Sequence, residues 1–235
     1  MLRVSVRGPN VRSWFRCILF AALASLAVPN LFAQEALPPL LQPRPTVWGE
    51  RSDQALPEAA GRPELRAVLD GADPTATPEV WQHDFDATDF EPAGVRDVPE
   101  RLAGNTERMD HRQISLELGR DILAGIESSP SFRRHNMAYA LTLAITASLR
   151  LTDRRQFDAA QERRLLRIVN DALADAPAFR TSSAAERTVA YDALIVTAGL
   201  MSRMTDDALA NKDRQLAERA LTLARETLAS LGIRR

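Results

Sequence analysis

Ser183-Ala-Ala-Glu-Arg-Thr-Val-Ala-Tyr-Asp-Ala-Leu-Ile-Val-Thr-Ala-Gly-Leu-Met-Ser-Arg-Met-Thr-Asp-Asp-Ala-Leu-Ala210 decides how this chain is read. Ser183 and Glu186 have the spacing of a capping box, in which the hydroxyl accepts from the N3 amide and the carboxylate reaches back to the Ser amide. Beyond the cap, Val189, Leu194, Ile195, Val196, Leu200 and Met201 spread over a wide arc of a 3.6-residue helix. An ordinary surface helix has one apolar stripe; a wider arc belongs inside. The spacing predicts a helix over 184–210 and places it at the centre.

Outward from it, the same period recurs. Leu118, Ile122, Leu123 and Ile126 mark a helix over 113–126. Ser128-Ser129-Pro130 offers a stop, a cap and an N1 proline for the next, over 131–151, with Met137, Leu141, Ala144, Ile145 and Leu149 in register. Leu165, Ile168, Val169, Ala172 and Leu173 stripe a helix over 157–174, which Pro177 punctuates. Asn211 or Asp213 caps a last helix over 214–231, and Gly232 follows as its stop. No run alternates with period two, and Asp70-Gly71 sits in Pro-rich sequence as a plain turn. Ala138, Ala140, Ala144, Ala193, Ala198, Ala220 and Ala224 allow close helix axes. The expectation is an all-α fold: an antiparallel bundle of four to five helices over 111–235, preceded by an extended, Pro-rich acidic arm.

The arm, residues 34–110, holds 10 of the 14 prolines and sixteen acids against seven bases. Proline removes backbone donors, and like charge opposes collapse. Apart from a short helix near Glu64–Leu69, the composition predicts a linker or loosely docked arm. The bundle region has the opposite sign, nineteen bases against fifteen acids, so arm and body attract. Trp48, Trp81, Phe85 and Phe90 stand out in the arm, because a linker rarely carries such rings. They are expected to dock onto the protein's own body, or to anchor a partner.

Residues 1–33 read as an address. Arg3, Arg7, Arg12 and Arg16 precede the run Cys17–Val28, and Leu31-Phe32-Ala33 offers a cleavage site. Twelve apolar residues span about 18 Å as a helix, short of the roughly 30 Å hydrocarbon core. A cleaved secretory signal peptide is expected, with no membrane span afterwards and a periplasmic or secreted destination. Cleavage takes the single Cys with it and leaves an acidic chain, which argues against disulfides and against nucleic acid as partner.

Candidate chemistry is sparse. The chain has no G-x-S-x-G, H-E-x-x-H, Walker A, G-x-G-x-x-G or C-x-x-C motif. His83, His111 and His135 are far apart; His135 is expected to pack on Tyr139. Glu117 and Asp121 are one turn apart and, with Asp192, could form a carboxylate site. Asp84, Asp86, Asp89 and Glu91 supply the oxygen donors calcium takes, without the glycine turn of an EF-hand. Arg154, Arg155, Arg163, Arg164 and Arg167 form a basic patch, diluted by acids, that could hold an anionic partner or the arm itself.

Asn136-Met-Ala-Tyr-Ala-Leu141, Asn170-Asp-Ala-Leu-Ala-Asp-Ala-Pro177, Ser182-Ser-Ala-Ala-Glu-Arg187 and Tyr191-Asp-Ala-Leu-Ile-Val-Thr-Ala-Gly199 together resemble an uncharacterised domain-of-unknown-function family of exported bacterial proteins. The resemblance covers roughly 120–233, implies a helical body, and brings no catalytic or binding residues with it. The sequence thus leads to an exported, non-enzymatic interaction or scaffold protein with a protein partner and no cofactor. The alternatives are an envelope enzyme with a carboxylate-based site and a calcium or ligand module at Asp84–Glu91.

Overall fold

The structure, a computed structural model, describes residues 52–77, 80–94, 96, 98 and 109–233. The expected signal peptide and Trp48 lie outside the described residues. Among the described residues eight α-helices follow in chain order: α1 Ser52–Ala60, α2 Pro63–Leu69, α3 Met109–Glu127, α4 Met137–Thr152, α5 Ala159–Asp175, α6 Pro177–Thr181, α7 Ala184–Asn211 and α8 Arg214–Ser230. Two 3₁₀ turns, Pro74–Ala76 and Phe85–Thr88, lie between α2 and α3. Among the described residues there is no β-strand, only a single bridge pairing Asp89 with Asn136.

Helix α7 is the axis. Ser183 Oγ accepts from Glu186 N and the Glu186 carboxylate accepts from Ser183 N, so the capping box forms as its spacing predicts. From Ala190 to Met201 every residue of α7 is buried. It packs against α3, α4 and α8. Helices α4 and α7 run in the same sense, since His135 meets Tyr191 at one end and Ser148 meets Met201 at the other. Gly199 lies where α3 crosses: a Cβ there would overlap the side chain of Ile122. The small residues singled out on α4, α7 and α8 are all buried, which fits close packing.

Two starts and stops follow a different chemistry from the one the sequence suggests. Ser128-Ser129-Pro130 ends α3 but does not open α4. The cap is Asn136, whose Oδ1 accepts from Tyr139 N. The residues between form a turn that buries Phe132 and sets His135 at φ 54°, so that its carbonyl faces out of the helix line. Pro177 does more than punctuate α5, since it is the first residue of the short helix α6. Asp158 with Gln161 builds a capping box for α5, Asp213 caps α8, and Gly232 at φ 76° closes it. There Gly232 N donates to Ala229 O and Ile233 N to Leu228 O.

The largest difference concerns the arm. Residues 52–98 include a second layer rather than a free linker. Helix α1 packs on α5 and α6, α2 packs on α5, and both 3₁₀ turns lie on α5. Ala59, Leu65, Val68 and Leu69 are fully buried. Helix α2, opened by Pro63, is the short helix expected near Glu64–Leu69; the departures are α1 and the turn that Pro74 opens with Asp73 as its cap. Glu58, Glu64, Asp70 and Asp73 are exposed, while Leu56, Ala59, Leu65, Val68 and Leu69 between them are buried.

Leu65→Ala is expected to cost about 2–4 kcal/mol, the loss typical of a buried leucine in a core. Urea denaturation would measure it. A change under about 0.5 kcal/mol would mean that α2 is not part of the cooperative unit.

Candidate functional site

Between α2 and α3 the chain crosses the bundle as a strap, described over residues 80–94 and 96, and its seat is polar. Asn136, Asn170, Thr188, Tyr191 and Asp192, on α4, α5 and α7, are all buried. Buried polar groups need partners, and the strap supplies them. Thr88, itself fully buried, donates to Asn170 Oδ1 at 2.8 Å and lies 3.2 Å from Asn136 Oδ1. Asn136 Nδ2 donates to Phe85 O at 2.8 Å and to Asp89 Oδ1 at 2.7 Å, and Asn170 Nδ2 donates to Asp84 O at 3.0 Å. Phe90 N donates to the carbonyl that His135 turns outward, and Ala93 N to Thr188 Oγ1. The seat grips main chain as well as side chains, at the start of the Phe85–Thr88 turn and at Phe90 and Ala93 beyond it.

The strap ends in a charged latch. Arg96 Nε donates to both Asp192 oxygens, at 3.1 and 2.9 Å, and its terminal nitrogens reach Glu127 at 3.1 and 2.8 Å. Burial pushes the Asp192 carboxyl above its usual range, and the Arg96 guanidinium pulls against it. The hydrogen bonds to Asp192 first, and to Glu127, hold Arg96 firmly protonated. Beside the latch Tyr191 accepts from His135 N, and burial raises its phenol well above the ordinary value.

The three described arm aromatics contact the body. Phe90 is buried, edge-on to Tyr191 with centroids 5.4 Å apart. Phe85 lies under the Arg167 guanidinium, 3.4 Å from its centroid. Trp81 is half-buried, with Arg164 and Arg167 over its ring at 5.0 and 5.9 Å. The basic patch therefore does meet the arm, through ring faces and carbonyls. Arg155 adds bonds to Val68 O and Ala72 O. His135 packs on Phe90 and Tyr191 rather than on Tyr139, because its left-handed backbone points the ring the other way; Tyr139 meets Phe132 instead.

The acids considered for chemistry do not converge. Glu117 and Asp121 are exposed on α3, where Glu117 accepts from Gln113, whereas Asp192 is sealed in the latch. Asp84, Asp86 and Glu91 are exposed, and Asp89 is engaged by Arg133 and Asn136. Among the described residues no group of three or more His, Cys, Asp or Glu could hold a metal ion. Sequence reasoning missed Thr88, Arg96 and the role of Asn170. A signal existed for the last: Asn170 adjoins Val169 in the apolar stripe of α5, where a polar residue implies a buried partner.

One concave feature lies beside Trp81, a cleft of about 270 Å³ between the α1–α2 turn and the start of the strap. Ile168 and Ala172 of α5 form its floor; Val80 and Trp81 form one wall and Arg62 and Glu64 the other. Two of its polar side chains, Arg62 and Asp171, are held in place by bonds to neighbouring groups. Arg62 is paired with Asp175 at 2.6 Å, and Asp171 accepts from Gln82 N and His83 N at 3.0 and 3.2 Å.

The geometry defines an all-helical protein with a strap integrated into its bundle. The chain belongs to DUF6683, a family of unknown function, whose match covers residues 64–235. That match begins well before residue 120, where the resemblance read from motifs begins, and it takes in α2, the strap and the latch. No curated protein and no solved structure matches the chain. Among the described residues no helix is long and apolar enough to cross a membrane.

Arg96→Ala strands a buried carboxylate and is expected to cost about 3 kcal/mol; adding Asp192→Leu should recover part of that loss. Chemical denaturation of the single and double variants checks both, and a double variant weaker than the single contradicts the latch. A second expectation concerns Glu162, buried in the first turn of α5, whose carboxyl burial pushes up to about 7. The folded state keeps this proton where the unfolded state has lost it. Stability therefore falls by about 2–3 kcal/mol as pH rises from about 4.5 to about 7, and stays lower above that. Glu162→Gln should flatten this part of the profile and stabilise the protein at pH 8. Denaturation midpoints across that range read it directly.

Proposed function

We propose that the chain is an exported, non-enzymatic interaction or scaffold protein that works with a protein partner in the periplasm or beyond the cell. The observation that carries this reading is the fate of the carboxylates. Glu117 and Asp121 stand in solvent, and Asp192 is neutralised by Arg96, so the groups with which the sequence could have built acid–base chemistry are dispersed or already bonded. The basic start, short apolar run and small residue at the cut support export. The loss of the only Cys on cleavage suits an oxidising compartment, because the body relies on an apolar core.

In-cell photo-crosslinking tests it, with the reactive residue placed at Leu209, which is 74% exposed, and separately at Glu117 on the open face of α3. A discrete adduct of defined mass is expected from at least one position, from chain recovered outside the cytoplasm with residues 1–33 removed. Unprocessed chain in the cytoplasm, or no discrete adduct from either position, contradicts the proposal.

A further inference from the structure

We infer that the cleft beside Trp81 binds a neutral saccharide unit of a glycan. A pyranose presents an apolar C–H face and a rim of hydroxyls, each both donor and acceptor. It is matched by apolar or aromatic surface bordered by planar polar side chains, the general pattern of a small-ligand site. The cleft has that composition. Trp81, Val80, Ile168 and Ala172 provide the apolar surface, and Arg62, Glu64, Asp171 and Gln82 stand at its edges. Its volume, about 270 Å³, suits one sugar ring with bridging waters rather than a long chain.

Charge separates this ligand from the alternatives. Among the described residues that line the cleft the one cation is Arg62, and it already faces Asp175, which also takes His83 Nε2 at 2.8 Å, so the lining favours a neutral ligand over an anion. Each oxygen of Asp171 accepts one strap amide and retains lone pairs toward the cleft. These groups are fixed before any ligand arrives, which lowers the ordering cost of weak, multiple hydrogen bonds. A partner's apolar side chain would leave the hydrogen-bonding groups of Glu64, Thr77 and Gln82 in the lining without use. Val80, 75% exposed, and Trp81 offer apolar surface that a free chain would otherwise leave in water. This site is separate from the positions that test the protein-partner reading, so either can fail alone.

The test is fluorescence titration of the protein with Trp14 and Trp48 replaced by Phe, so that Trp81 is the only indole. The probes are tetrasaccharides of N-acetylglucosamine, of β-linked glucose and of α-linked glucose. A saturable change in Trp81 emission is expected with a midpoint of about 1 mM or tighter. The N-acetylglucosamine arm distinguishes an acetamido wall-type glycan from a plain glucan. Glu64→Ala with Gln82→Ala, both at exposed positions, should weaken binding about tenfold without moving the unfolding midpoint. No response to any of the three up to ~20 mM overturns the assignment. So does a response that the double variant leaves unchanged, or a response to apolar peptides alone, which would give the cleft to a protein partner.

Discussion

A helix buried on every side leaves its polar side chains no water to turn to. Helix α7 carries Thr188, Tyr191 and Asp192 into such a position, and an unpaired carboxylate there would cost several kcal/mol. The answer comes from residue 96, almost a hundred positions earlier. Once Arg96 must reach Asp192, the chain before it has to cross α5, and the crossing must satisfy Asn136 and Asn170 on its way. The strap, its 3₁₀ turn around Thr88 and the bridge at Asp89 all follow from that demand. Removing the strap would uncover a set of buried polar groups as well as an apolar face.

How much of this was legible depends on the length scale of the signal. Helices α3 to α5, α7 and α8 could be read because period and caps are local: Ser183 with Glu186, and Asp213 before α8, act within one turn. The start of α4 was misplaced because its cap, Asn136, also serves the strap, a use that no spacing within α4 reveals. Helix α2 was found and α1 was not. Pro57 is the sixth of the nine residues of α1 and reads as a breaker, so local sequence argues against the helix that packing supports. The latch was illegible in principle. Arg96 is one arginine among many, and only the fold gives it Asp192.

The attraction between acidic arm and basic body is real but of a different kind from simple charge pairing. Arg155 donates to two backbone carbonyls, and Arg164 and Arg167 lie over aromatic rings. Planar guanidinium suits both uses, with several donors in one plane and a weakly hydrated face. Net charge brought the right partners into view, whereas the contacts that hold them are cation–π and charge-assisted hydrogen bonds. These are less sensitive to salt than exposed ion pairs, and a body whose cations are nearly all arginine is equipped for them.

The packed unit reaches N-terminal of the family match. The family match starts at residue 64, within α2, but α1 is no appendage. Ala55, Leu56, Ala59 and Ala60 are buried on α5 and α6, and Glu58 accepts from Ala178 N, one of the amides that opens α6 and would otherwise lack a partner. At the other end, Ile233 is buried behind the left-handed turn at Gly232, and a Cβ on that glycine would lie 3.9 Å from the side chain of Pro57. The first described helix thus touches the last described turn. Within the described residues α1 and the turn at Gly232 belong to one packing arrangement, and a boundary drawn at 64 would open an apolar face on α5 and leave α6 without its cap.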